Sequence, residues 1–162
     1  GELGTDYIDL LLIHWPVPRV PLEETLAAMQ DEVDKGTVRH MGLSNFEREQ
    51  VSRALDLGFD VVNNQVEYHP RRKRDDLAEY CLDHDVTVTA YSPLGGGQDL
   101  RMARVKELAA KHNLTPPQVI LQWLLERNLI VIPRATTKEH IQGNYDAFQA
   151  WLANGSISAD YL

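Results

Sequence analysis

The chain carries one cysteine in 162 residues, Cys81, so no disulfide can form within it. Cys81 stands at helical spacing from apolar neighbours, and a buried core thiol is the expectation. No apolar run approaches the roughly 18 residues that would suggest a membrane-crossing helix, and the opening Gly1-Glu2-Leu3 is not a basic leader. A cytoplasmic setting and no membrane partner are therefore expected. Cations are the minority charge: 16 Lys and Arg against 24 Asp and Glu give a net charge of −8. That balance repels nucleic-acid phosphate at long range, so no nucleic-acid partner is expected. A G-x-G-x-x-G turn is also missing, and Gly95-Gly96-Gly97 reads as a flexible loop rather than a phosphate cradle. With 43% hydrophobic and 25% charged residues, the chain still has the apolar content of an ordinary folded domain.

One unit recurs along the chain. Tyr7 to Ile13 is a nearly unbroken apolar run of strand length, as expected for a strand covered on both faces. After a Pro-rich loop, Leu22, Leu26, Met29 and Val33 recur at helical spacing and Gly36 supplies the stop. Val38 to Leu43 predicts a second strand, with Val51, Leu55 and Leu57 in the helix after it, ending near Gly58. Asp60 to Val66 predicts the third, followed by a helix from Arg74 to His84 with Leu77, Tyr80 and Cys81 on one face. Val86 to Tyr91 is β-branched and predicts the fourth. Val105, Leu108 and Ala109 form one apolar stripe, and Thr115-Pro116 is a cap and first-turn pair for a second helix through Leu125. Leu129 to Ile132 predicts the last strand. Strands alternating with helices mean an α/β protein with a parallel sheet, either doubly wound or a closed barrel, in one continuous domain over 1–162.

Polar residues follow the apolar runs at every strand end. His14 follows the first, Ser44-Asn45 the second, Gln65 with Glu67-Tyr68-His69 lies on and after the third, Tyr91-Ser92 the fourth, and Arg134 the fifth. In a barrel these ends converge on one mouth, where barrel enzymes keep their chemistry. Ser, Asn and Gln can bond a carboxamide, a Tyr face can stack on a ring, and a cation can hold phosphate. The set suits a planar cofactor bearing an amide. His14, Glu67 and His69 lack the short H-x-x-x-H or H-E-x-x-H spacing of a metal site, and no metal is expected.

Five segments carry a resemblance: Leu10-Leu11-Leu12-Ile13-His14-Trp15-Pro16, Gly42-Leu43-Ser44-Asn45-Phe46, Asn64-Gln65-Val66-Glu67-Tyr68-His69-Pro70, Tyr91-Ser92-Pro93-Leu94-Gly95, and Val131-Ile132-Pro133-Arg134-Ala135 through Asn144. Over residues 3 to 148 the chain resembles the aldo-keto reductase family. The resemblance implies a parallel (β/α)8 TIM barrel, of which this chain supplies about five βα units, that binds NADPH and reduces aldehydes or ketones by hydride transfer. It implies that His14 is the active-site histidine bonding the substrate carbonyl, and that Trp15 lines the substrate pocket. Ser44, Asn45 and Gln65 would hold the nicotinamide carboxamide, Tyr91 would stack on its ring, and Ser92 and Leu94 would run beside the pyrophosphate. Arg134, where the family usually has Lys, would contact the adenosine 2′-phosphate with Thr136, and Asn144 would contact the adenine. His140 replaces a common Arg, which leaves NAD(H) open beside NADP(H).

The family's Asp, proton-donating Tyr and Lys come from earlier strand-helix units, which are absent here; Tyr7 and Tyr68 are not assigned to that part. After Phe148, Gln149-Ala150-Trp151-Leu152 also departs from the family's continuation. The expectation is an incomplete, inactive piece of a reductase that takes a small carbonyl substrate, with oligomeric state unreadable. The alternatives are an NADP(H)-binding regulatory subunit of the same fold with little or no turnover, and an unrelated barrel enzyme. Rapid NADPH oxidation with a simple aldehyde favours the reductase, an upstream sequence without the Tyr or Lys favours the subunit, and failure to bind either nicotinamide cofactor favours the unrelated enzyme. Five strands of a parallel barrel leave two unpaired edges. The isolated 162-residue chain is accordingly predicted to aggregate or melt broadly, and a sharp cooperative melt of a monomer would overturn this.

Overall fold

The computed structural model describes residues 4–154 and residue 162, so the opening Gly1-Glu2-Leu3 lies outside the described residues. The elements run β1 (Ile8–Ile13), α1 (Leu22–Asp34), β2 (Val38–Ser44), α2 (Arg48–Asp56), β3 (Val61–Glu67), α3 (Asp75–Asp83) and β4 (Thr87–Tyr91), then α4 (Ala103–His112), α5 (Pro116–Leu125), β5 (Ile130–Ile132) and α6 (Lys138–Asn154). Short 3-10 turns at Gly95–Gly97 and Asp99–Arg101 separate β4 from α4. The five strands form one sheet in chain order, and β1–β2, β2–β3 and β4–β5 pair in parallel. Chain order with helical crossovers is the βα-barrel arrangement; a doubly wound sheet reverses its strand order. The chain divides into two compact units, Gly1–Val66 with Asp75–Val88 and Glu67–Arg74 with Thr89–Leu162.

In the first unit the core is built from Val38, Met41 and Leu43 of β2, Val61 and Val66 of β3, and the inner faces of three helices. Leu26 and Met29 supply the α1 face, Val51 and Ala54 the α2 face, and Leu77, Ala78 and Cys81 the α3 face. Cys81 is the core thiol expected, and burial pushes its pKa up to about 11. The helix α1 ends at Lys35, followed by Gly36 at φ +77, where only glycine is unstrained. The helix α2 ends near Gly58 as expected, with Leu57 as its cap at 43% exposure and Ala54, three residues after Val51, buried. One expectation fails here. The strand β1 is not covered on both faces; none of its residues is buried and Leu10 is 39% exposed, because β1 ends the sheet and has a partner only in β2.

Gly42 sets how closely β2 approaches its neighbours. A Cβ there would stand 2.7 Å from the Asn63 carbonyl oxygen and 2.8 Å from Leu12 Cδ2, inside any real contact. Beside it the ladder shifts register, so that Leu43 pairs with Asn64 and Ser44 with Gln65.

The second unit packs around α5, whose residues Val119 to Leu124 are all buried. Thr115 caps its start with Pro116 in the first turn, as anticipated, and with Gln118 it completes a capping box. Trp123 lies against buried Tyr68, ring centroids 5.9 Å apart, and Arg127 sits over the Trp123 ring at 4.2 Å. The helix α6 was not anticipated. It presents Ala147 inward, where the Ala147 carbonyl accepts from the buried Gln122 amide at 3.4 Å, while Ile141, Tyr145, Phe148 and Leu152 are exposed. The divergent Gln149-Ala150-Trp151-Leu152 is simply its continuation, with Trp151 stacked on Phe148.

The glycine run after β4 is not a loose loop either. It folds as a tight turn over Asp99, whose side chain is wholly buried. His69 Nδ1 donates to Asp99 Oδ2 at 2.6 Å, Arg71 Nε donates to Oδ1, and the Arg71 backbone N–H reaches Oδ2 at 3.4 Å. Burial alone would raise the Asp99 pKa, but the bonds from Arg71 and His69 together outweigh it and hold the carboxyl below its ordinary value. A carboxylate lowered by folding contributes stability above its unfolded pKa of about 3.9 and loses it as pH falls through the lower folded value.

Acid titration of the whole protein, followed by thermal midpoint, should therefore show stability falling below about pH 4, and Asp99→Asn should flatten that fall while lowering stability at neutral pH. Gly42→Ala should cost about 1–3 kcal/mol in urea unfolding, since the backbone oxygen facing the new methyl group belongs to a paired strand; a neutral substitution would show that β2 can move aside.

Candidate functional site

In the first unit, the ends of three adjacent strands hold four of the predicted site residues together. Ser44 and Gln65 face each other in register, and the Ser44 hydroxyl donates to the Gln65 carbonyl at 2.8 Å. Asn45 follows in the left-handed region at φ +64, a conformation Asn tolerates better than most residues. This turns its side chain so that Nδ2 donates to the His14 carbonyl at 2.9 Å and to Ser44 Oγ at 3.1 Å, while its backbone N–H donates to the Gln65 carbonyl at 2.9 Å. Buried Asn64 ties the same corner from below, donating to the Phe46 carbonyl at 3.0 Å. The Gln65 side-chain amide makes no hydrogen bond to another described residue, so its donor and acceptor are both available.

His14 and Trp15 follow β1 and are exposed, with ring centroids 6.2 Å apart. Trp15 is 55% exposed and lines a cavity of about 660 Å³ with Ile13, Phe46, Val17 and Val20. Its charged residues include Arg53 and Glu23, paired at 3.2 Å.

In the second unit, Tyr91 ends β4 opposite Ile132 of β5, half-buried. Its phenol pKa is raised, first by burial and then by the Glu67 carboxylate. Ser92 stands at φ +49, and its carbonyl accepts from the Gly95 N–H at 2.9 Å; the Leu94 carbonyl accepts from the Gly97 N–H at 2.9 Å. Arg134 lies two residues beyond β5, exposed and without an ion pair among the described residues. Thr136 and His140 are exposed and Asn144 is half-buried. The His140 backbone N–H donates to Thr137 Oγ1 at 3.2 Å, so Thr137 caps α6 and places His140 and Asn144 four residues apart on that helix.

The cluster of His69, Arg71 and Asp99 is what reasoning from the sequence missed. Glu67 and His69 were noted as polar residues on and after β3, as part of a family motif and as unsuited to a metal, but not as partners of Asp99, which follows no strand and belongs to no motif. The contacts join residues 28 and 30 positions apart, which no local periodicity reports. Among the described residues no group of three or more His, Cys, Asp or Glu is placed to hold a metal ion, and no helix is long and apolar enough to cross a membrane.

The sequence matches the model of the aldo/keto reductase family over residues 1–101 and 98–159. An aldo-keto reductase of Mycobacterium avium (strain 104) is 37% identical over 153 residues, covering 93% of this chain and 54% of the relative. Among solved structures, the aldose reductase of Schistosoma japonicum superposes with a TM-score of 0.88 at 36% identity, over 98% of this chain and 57% of that one. A variant of Gox0644 in complex with NADPH superposes with a TM-score of 0.83 at 35% identity, over 96% of this chain and 56% of that one. The chain thus spans little more than half the length of these relatives. Matched along nearly its whole length in sequence and in structure, the chain belongs to the aldo/keto reductase family.

Proposed function

We propose that residues 1–162 are part of one barrel domain that binds NADP(H) and reduces aldehydes or ketones to alcohols. The observation that carries this reading is the strand-end corner, in which Ser44, Asn45 and the His14 backbone are locked to one another while the Gln65 amide is left unengaged by described residues. A primary amide with both functions available is complementary to a carboxamide, so the residues present fit a nicotinamide. The NADPH in the Gox0644 complex belongs to that protein, and supports the same choice of cofactor here.

In this reading Gln65, Ser44 and Asn45 hold the carboxamide, and the Tyr91 ring covers one face of the nicotinamide. Ser92 and Leu94 lie beside the pyrophosphate, Arg134 and Thr136 take the 2′-phosphate, and Asn144 takes the adenine, with His140 nearby. When bound, the cofactor supplies the hydride. His14 donates a hydrogen bond to the substrate carbonyl oxygen, drawing charge toward it as the carbonyl carbon becomes more electrophilic. Trp15 and the apolar cavity beside it form a wall for the substrate, a small carbonyl compound. No described residue is given the part of proton donor: Tyr68 is buried against Trp123, and Tyr91 is taken as the stacking ring. A cytoplasmic setting belongs to the same reading.

Arg134 provides the test of cofactor choice. Quenching of protein fluorescence on NADPH titration should show binding, and Arg134→Ala should weaken NADPH at least about tenfold while changing NADH by less than about twofold, because a charge-assisted bond to phosphate is worth about 1.5–3 kcal/mol. Equal losses for both would remove Arg134 from the 2′-phosphate, and binding of neither cofactor to the whole protein would end the reading. His14→Phe should lower turnover of a simple aldehyde by about a hundredfold or more with NADPH affinity unchanged, the signature of a group acting on the reacting carbonyl alone.

A further inference from the structure

The sequence Arg71-Arg72-Lys73-Arg74 is a run of four cations in a chain of net charge −8, and the start of this run turns inward. Arg72 pairs with Glu67 at 3.1 Å, and Glu67 Oε1 lies 3.6 Å from His69 Nε2. Arg71 holds the turn that follows β4 at three points. Its NH1 donates to Gln98 Oε1 at 2.9 Å, its NH2 to the Gly95 carbonyl at 3.4 Å, and its Nε to the buried Asp99 carboxylate. His69 holds the other Asp99 oxygen, and since an ionised carboxylate can only accept, His69 carries its proton on Nδ1.

The turn held in this way is a left-handed one. Ser92, Gly95, Gly96 and Gly97 all have φ between +49 and +83, and Ser92 pays a steric cost that glycine does not. A Cβ on Gly95 would stand 2.6 Å from Asp99 Cγ, so the turn closes directly onto the buried acid. Glycine adopts this conformation without strain, and the side chains that hold the turn in place come from the segment after β3.

We propose that Asp99, His69 and Arg71 are positioning residues for the cofactor: acting through the turn at residues 92–98, they set affinity for the pyrophosphate. This rests on the reading of Ser92 and Leu94 as the pyrophosphate's neighbours. The three side chains act on the backbone that carries those residues. Arg71→Lys keeps the charge but replaces a rigid fork that meets three acceptors with a single ammonium, and does not substitute for it.

The test compares two ligands on the whole protein by calorimetry, NADP⁺ and 2′-AMP, which shares the adenosine 2′-phosphate and lacks the pyrophosphate. Asp99→Asn, Arg71→Met and Arg71→Lys should each weaken NADP⁺ by about tenfold and 2′-AMP by less than about twofold. Hydrogen exchange of the amides at 95–98 should quicken in the same variants. Should Asp99→Asn fail to fold, Arg71→Met decides, since the Arg71 side chain is 43% exposed and its loss leaves a smaller void. Equal weakening of both ligands would mean general destabilisation, and unchanged NADP⁺ affinity would mean a purely structural cluster; either overturns the inference and leaves the proposed function standing. Wild-type protein that binds no NADP⁺ would instead remove the proposed function, and the positioning role with it.

Discussion

The close approach of β2 to β3 is the constraint on which the first unit's site depends. Gly42 permits it, because any side chain there would meet the Asn63 carbonyl. The register shift beside Gly42 then sets Ser44 opposite Gln65. From that pairing the rest follows by hydrogen bonding: the Ser44 hydroxyl and the Asn45 amide both spend themselves on the Gln65 carbonyl, and the Asn45 side chain reaches the backbone of His14. A corner in which Ser44, Asn45 and the His14 carbonyl are bonded to one another gives Gln65 a defined setting, and preorganisation of this kind is what lets a polar group discriminate.

The second unit solves a different problem with charge. A turn with four left-handed residues, three of them glycine, closes over a buried carboxylate. Burying Asp99 is costly unless its oxygens are satisfied, and both are, by Arg71 and His69. The arrangement therefore stands or falls as a set, since losing either partner leaves a charge in an apolar setting. It also explains why a cationic run on an acidic protein need not be a surface for nucleic acid: Arg71 and Arg72 are engaged with the chain's own acids.

Membership of the aldo/keto reductase family accounts for the chain-order parallel sheet and for the polar strand ends, but the differences are as informative. At the positions the family resemblance places near the adenosine 2′-phosphate, Arg134 stands where Lys is usual, keeping the charge and adding a bidentate fork, and His140 stands where Arg is common. The cofactor preference proposed above accordingly leans on Arg134.

The sequence by itself determined the kind of each strand and most helices, because apolar runs and 3.6-residue stripes are local signals, as are Gly36 after α1 and the Thr115-Pro116 pair before α5. It also determined which polar residues end the strands, from His14 through Arg134. The helix α6 escaped notice because four of its large apolar residues face outward and Gly143 interrupts the pattern, leaving Ala147 as its buried contact. Tertiary structure alone decided that Ala54 faces the core, that β1 is half-covered, and that the three glycines form a fixed turn. Those outcomes depend on where a helix stops, which strand has one neighbour, and which distant side chains fill the space beneath a turn. The pairing of His69 and Arg71 with Asp99 is the clearest case: its partners lie 28 to 30 residues apart, and only folding brings that acid out of water and supplies the bonds that keep it charged there.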